Sequence, residues 1–227
     1  SMRYVNFKSL TFDASTLSPS LATGTVQFTG YCSDIELYDC RILAHPTIAS
    51  YTSAAVYKSD LGGSLDNIRF IKNLIDGGYY GFQIYGGTNQ SSLGKNIVID
   101  SNTIQNAYQY SAYFYYTELA SFSHNNIYSR TTSTYTSWQG FTTYYCDNKM
   151  VDGNKIYQRG TTITYPSGMQ ISNGVVYSTG LFINNEIVLE GGTTGARYGM
   201  YIVNTKANLY HNSIYMKGGT TNARGVF

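Results

Sequence analysis

The sequence predicts an all-β solenoid, a coil of short strands stacked in parallel, on three observations. Six times an isoleucine follows an asparagine by two residues: Asn73, Asn102, Asn125, Asn154, Asn185 and Asn212 precede Ile75, Ile104, Ile127, Ile156, Ile187 and Ile214. The asparagines are 29, 23, 29, 31 and 27 residues apart, a mean of about 28, which is one turn of a solenoid. A large apolar residue stands three positions before each asparagine, and no stretch carries the apolar spacing and caps of a helix.

The first strand of each coil precedes the asparagine. Its −3 residues are Phe70, Ile99, Phe122, Val151, Phe182 and Leu209; its −5 residues, a looser column, are Ile68, Ile97, Ala120, Lys149, Gly180 and Ala207. Positions −5, −3 and +2 form one inward face by period-2 alternation. Run backwards, the frame places Cys40 and Leu10 at the asparagine position, with Ile35, Leu37 and Ile42, then Val5, Phe7 and Phe12, as their inward residues. The ladder is therefore expected to be less regular in the first quarter.

Asparagine suits a stacked turn because it tolerates the left-handed backbone region and its amide both donates and accepts. Stacked at about 4.8 Å, such amides bond to one another and to the turn backbone. A further strand follows each isoleucine, often opened by glycine, as in Gly81–Ile84, Gly168–Ile171 and Gly199–Ile202, with looser versions at Ala112–Tyr115 and Gly140–Thr143. In this frame Gln83, Phe114, Thr142, Gln170 and Tyr201 point outward. Length variation falls in polar segments such as 86–95 and 130–138, which read as turns.

Together these residues resemble the right-handed parallel β-helix family with short three-strand coils, the pectate-lyase-like architecture. The resemblance covers Val5 to Phe227. It implies a single-stranded solenoid of about eight coils, residues 1–227 as one domain, with an asparagine ladder at one turn. It does not fix activity, because the architecture hosts lyases, hydrolases, adhesins and inert stalks. The tyrosine-rich runs Tyr113-Phe114-Tyr115-Tyr116 and Tyr144-Tyr145-Cys146 are similar to repeat proteins that bacteria secrete or display, which implies an extracellular or cell-surface location.

Composition narrows the partners. Charged residues are 12% of the chain and the net charge is +2, so neither nucleic-acid steering nor a polybasic membrane patch is expected. Residues 160–185 carry no charge at all. No apolar run approaches 18 residues, so no spanning helix is expected. Ser1-Met2 reads as a vector-derived remnant, with any signal peptide lying upstream. Of three cysteines, Cys40 falls in an inward column, a Cys32–Cys40 disulfide is one pairing to test, and Cys146 is left over. Val5 already lies in a strand, and residues 221–227 parallel 194–200, so the chain is expected to be a section of a longer solenoid. Uncapped coils then predict end-to-end self-association, which a monomeric mass by light scattering at high concentration excludes.

For chemistry, the outward row holds no carboxylate and no guanidinium. The paired-aspartate, His-Gly and Arg-x-Lys patterns of the related polygalacturonases are missing, as are a Walker loop, a zinc spacing and a Gly-x-Ser-x-Gly elbow. No metal or cofactor is expected. One polar cluster is a catalytic candidate: Asp100 and Asp152 lie two residues before their asparagines and His124 one before its own. Two rungs set the aspartates roughly 9–10 Å apart by strand spacing, near the upper limit for an inverting carboxylate pair. The plainer reading is ordinary polar turn residues. His211 shares the column of His124 three coils away, too far for one metal ion. The aromatic excess, 24 tyrosines, is the other candidate. Tyr113, Tyr115, Tyr116, Tyr144, Tyr145 and Tyr201 form an expected exposed strip able to stack on polysaccharide rings or meet a protein. Its plainer reading is that tyrosine simply favours pleated, half-buried surfaces.

Overall fold

Alternation before each asparagine builds the first of three parallel sheets. A computed structural model describes residues 2–17, 24–58, 61–132, 134, 136–175, 178–191, 195–218 and 222–227. Ser1, Thr194 and Thr221 lie outside the described residues. The first sheet stacks Met2–Lys8, Cys32–Tyr38, Leu65–Ile71, Gly94–Asp100, Thr117–Ser123, Met150–Asp152, Gly180–Ile183 and Ala207–Tyr210, with Asp147–Asn148 beside the fifth. The second runs from Thr11–Asp13 to Ser213–Lys217 and the third from Gly24–Gln27 to Ala223–Val226, each with eight strands. Every strand pairs in parallel with those one coil away. The chain thus visits the three sheets in turn, and seven full turns separate the first rung from the last. The molecule is a parallel β-solenoid.

The interior is a narrow column of stacked apolar side chains. Ile68, Phe70, Ile75, Ile99, Ile104, Phe122, Ile127, Val151, Ile156, Phe182 and Ile187 are all buried, as the −5, −3 and +2 frame requires. Phe70–Phe82, Phe82–Phe114 and Phe122–Phe141 pack at ring-centroid distances of 5.1, 6.0 and 4.3 Å. The glycine that opens the third-sheet strand has a packing cause. A Cβ on Gly140, Gly168 or Gly199 would lie 2.5, 2.4 or 2.5 Å from the Cγ2 of Ile156, Ile187 or Ile214. Ile156, Ile187 and Ile214 fill the volume that the missing Cβ leaves.

The −5 column needs two corrections. Leu119, not Ala120, faces inward opposite Ile97, because the 23-residue coil is accommodated by a bulge that makes Ala120 the extra residue. One coil on, Asn148 pairs with Leu119 and is buried, while Lys149 is exposed. The third sheet needs another. Phe114 pairs with Ile84 and Thr143 and is buried, so Tyr113 stands in the outward column with Gln83, Thr142, Gln170 and Tyr201. Ser111 occupies the glycine position there, and aligning Ala112 with it slips the strand by one residue, which flips every side chain.

The asparagine ladder is present, and it is buried from Asn73 to Asn185. Asn125 shows its unit: Oδ1 accepts from the main-chain N–H and Nδ2 of Asn102, while Nδ2 donates to Ile99 O and to Asn154 Oδ1. The same pattern links Asn73 to Asn102, Asn154 to Asn185 and Asn185 to Asn212. The left-handed backbone belongs elsewhere. It falls on the preceding residue, with φ of 54° at Ser9, 53° at Asp39, 57° at Lys72, 58° at Ser101, 54° at His124, 63° at Gly153, 52° at Asn184 and 53° at His211. That residue makes the bend, and the bend aims the next side chain inward.

The first quarter is less regular, as expected. The Cys40 N–H still donates to Asn73 Oδ1, but the chain of amides stops there, and Leu10 is exposed. Cys32, Cys40 and Cys146 are buried free thiols. Cys32 opens the strand whose far corner holds Cys40, about 26 Å away along an extended chain, well beyond disulfide reach. Burial pushes the Cys146 thiol up to about 12.

Candidate functional site

Three features of the solenoid surface carry side chains in arrangements the repeat alone does not require. The largest is the outer face of the third sheet. Tyr80 and Tyr110 stack at 5.1 Å with 10° between planes. Tyr113 contacts Tyr80, Tyr85, Tyr110 and Tyr144 at 5.8, 6.3, 5.3 and 5.8 Å. From there Tyr85–Tyr115, Tyr115–Tyr116 and Tyr116–Tyr145 continue at 5.0, 4.2 and 5.6 Å. At the other margin Tyr79 touches Tyr80 and Tyr108 at 5.0 and 5.5 Å. These tyrosines form one connected, half-buried surface across three neighbouring coils.

Pairing register explains the surface. Parallel in-register stacking puts Tyr80 over Tyr110 and Tyr85 beside Tyr115 and Tyr144, so rings meet at rung spacing. Burial raises the phenol pKa of Tyr80, Tyr113, Tyr115 and Tyr144, because desolvation disfavours phenolate. The hydroxyls therefore stay protonated as neutral donors and acceptors. Tyr116 and Tyr145 hold φ of 51° and 53° at the corner between the third and first sheets. Left-handed backbone is a true outlier for bulky residues, and here it sets both rings at the edge of the aromatic surface.

Five of the six tyrosines expected from sequence belong to this surface: Tyr113, Tyr115, Tyr116, Tyr144 and Tyr145. Tyr201 occupies the same outward column, but Thr142 and Gln170 separate it from Tyr113, and its ring contacts are Tyr198 and Phe227 at 5.0 and 5.1 Å. Thr142 points outward yet is covered, with its hydroxyl donating to Gln139 Oε1. Sequence reasoning missed Tyr79, Tyr80, Tyr85, Tyr108 and Tyr110. Two of them had a signal: Tyr80 stands immediately before the strand-opening Gly81, and Tyr85 four residues after it.

The second feature is the corner beside the ladder. Asp100, Ser123 and Asp152 form one column of the first sheet, so the aspartates are two rungs apart. His124 Nδ1 lies 2.9 Å from Asp100 Oδ1, with both side chains substantially exposed. Asp152 Oδ1 instead accepts from Asn184 Nδ2. The imidazole lies over Gly153, where a Cβ would come within 2.9 Å of His124 Cδ2. His124 therefore bridges to the coil below and packs on the coil above, while the two carboxylates face different partners. His211 is exposed at its own corner. Among the described residues no three of His, Cys, Asp and Glu gather as a metal site.

The third feature is a cleft of about 560 Å³ at the corner between the second and third sheets, bordered by Tyr108, Arg130 and several threonines. The variable loops of the repeat build it, so no periodic signal announces it.

Fold and surface together define a parallel β-solenoid with an aromatic outer face. Comparison with protein-family models, with curated proteins and with solved structures finds no match.

Proposed function

We propose that this solenoid is a recognition module, of the secreted or surface-displayed kind that its tyrosine-rich runs resemble, and that it binds polysaccharide on the outer face of its third sheet. The connected tyrosine surface from Tyr79 to Tyr145 carries this reading. Sugar rings have apolar faces and polar edges, and a tyrosine sheet offers the matching pair: ring faces to stack on and neutral hydroxyls to exchange hydrogen bonds. Gln83 and Gln170 lie in the same outward column, with Gln170 Nε2 donating to the Tyr144 hydroxyl at 2.6 Å. Because the rings already brace one another, little side-chain entropy is lost when a ligand settles on them.

A glycan array tests the proposal. Retention of polysaccharides that survives EDTA and Asp152→Asn, and is lost in Tyr113→Ala, supports a module that binds without turnover. Release of unsaturated or reducing ends from a polyuronate panel, abolished by Asp100→Asn or His124→Gln, would instead establish an enzyme working at the ladder corner.

A further inference from the structure

The cleft between the second and third sheets is built around a buried cation that, among the described residues, forms no direct ion pair. Arg130 is 7% exposed. Its Nε donates to Asn106 O at 2.5 Å and its Nη2 to Gly78 O at 2.9 Å. Those carbonyls anchor the guanidinium but do not neutralise it. Among the described residues Arg130 forms no ion pair, and Nη1 has no hydrogen bond. The acid whose charge reaches it, Asp76, acts only at a distance, because Oδ2 accepts instead from Gln105 Nε2 at 2.9 Å and Oδ1 from Asn106 Nδ2 at 2.8 Å. Burial lowers the Arg130 pKa to about 10, the expected direction for a desolvated charge, and still leaves it cationic at neutral pH.

Threonines line the same cleft. Thr47, Thr131, Thr132 and Thr161 share the cleft wall with Arg130 and Tyr108. The guanidinium carbon lies 5.2 Å from the Tyr108 ring centroid, and Tyr108 touches Tyr79 of the aromatic face. A strip suited to ring faces therefore runs into a pocket suited to negative charge. Donors standing on three separate loops of one wall suit a tetrahedral oxyanion better than a planar carboxylate, which prefers an open guanidinium fork.

We propose that this cleft binds a tetrahedral oxyanion, a sulfate or phosphate group carried by the glycan that lies on the tyrosine face. The glycan part rests on the function proposed above; the oxyanion site does not. Isothermal titration of the whole chain separates them, with inorganic sulfate, inorganic phosphate, a sulfated oligosaccharide and its desulfated counterpart as probes. The expected result is saturable binding of the inorganic ions and at least tenfold preference for the sulfated over the desulfated oligosaccharide. Arg130→Gln abolishes both. Because Arg130 also holds two main-chain carbonyls, Thr131→Val/Thr161→Val serves as the second variant: both threonines are exposed, and their loss weakens oxyanion binding several-fold in a folded protein. Tyr113→Ala weakens the oligosaccharides and leaves inorganic sulfate unchanged. Sulfate binding without oligosaccharide binding overturns the glycan reading and keeps the oxyanion site. Absence of saturable sulfate or phosphate binding, or binding indifferent to Thr131→Val/Thr161→Val, overturns the site itself.

Discussion

The asparagine ladder and the tyrosine face are both columns of side chains stacked at the rung spacing of about 4.8 Å, yet they obey different rules. Along the ladder every rung from Asn73 to Asn212 repeats one residue type and one hydrogen-bond pattern. On the face, the outward column reads Tyr57, Gln83, Tyr113, Thr142, Gln170 and Tyr201, and ring planes meet at angles from 10° to 85°. Solvent makes the difference. A buried amide must find all its partners inside the protein, so only asparagine of the right length fits each rung. A half-buried phenol completes its hydrogen bonding with water, so neighbours can vary. The ladder is constrained by stability, and the face is free to be shaped by what it touches.

The sharpest way to break this contrast is Asn125→Ala. It strands the Asn102 N–H, one of the two Nδ2 hydrogens of Asn102 and the Ile99 carbonyl, while Asn154 Oδ1 keeps the main-chain N–H of residue 125, and the expected loss is about 3–5 kcal/mol. Asn212 at the last rung is partly exposed, so Asn212→Ala should cost only about 1–2 kcal/mol, with water replacing the amide. Urea midpoints followed by circular dichroism compare the two; equal losses would mean that burial does not set the strength of the ladder.

Gly168→Ala comes next. Its new Cβ would sit 2.4 Å from Ile187 Cγ2 and 2.7 Å from the Gly199 carbonyl, and neither can move without shifting a coil. Overpacking of this kind costs about 1–3 kcal/mol. Pairing the change with Ile187→Ala removes Cγ2, so the double variant should lose clearly less stability than the sum of the two single losses. Additive losses would place the conflict at the Gly199 carbonyl instead.

Substitution on the tyrosine face should be milder for folding. Tyr113→Thr is expected to cost about 1–2 kcal/mol, from lost ring contacts, while removing most polysaccharide retention. The same face predicts an alkaline limit. Tyr80, Tyr113, Tyr115 and Tyr144 have folded pKa values above the ordinary value of 10. Above pH 10 the unfolded chain therefore releases phenolic protons that the folded chain retains. Their contribution is complete below pH 10 and is lost as pH rises beyond it. Urea midpoints measured from pH 9 to 11 should fall, and fall less steeply in Tyr113→Thr. A flat profile would mean that these phenols are solvated.

How legible each region was in the sequence follows from the same contrast. The ladder could be read because burial forces repetition: Asn-x-Ile recurs at every coil from Asn73 onward, and one column then locates Phe70, Ile99 and Phe122 as core. The site of the left-handed bend was misplaced by one residue, because Ser101, His124 and His211 share no residue type that would mark it. Ala120 and Lys149 were misassigned where the 23-residue coil required a bulge, which spacing records only as a missing length. Phe114 was turned outward because Ser111 disguises the glycine that marks the strand start elsewhere. Arg130 and its threonines could not be found by period at all, since they stand on loops whose length differs from coil to coil.

His124 lies between the two regimes, next to a ladder asparagine but exposed to water, and yields the smallest expected effect. Its hydrogen bond with Asp100 joins two solvent-accessible side chains, and such exposed contacts contribute at most about 1 kcal/mol. Its left-handed backbone opposes that gain, because a side chain at positive φ costs about 1 kcal/mol relative to glycine. His124→Gly should therefore change stability by less than about 1 kcal/mol in either direction, whereas His124→Ala keeps the strain, loses the pair and should be the less stable of the two. A double-mutant cycle with Asp100→Asn isolates the pair. Coupling well above 1 kcal/mol would show that Asp100 and His124 act as a unit despite their exposure, and that result would favour chemistry at this corner over a turn that merely needs a polar residue.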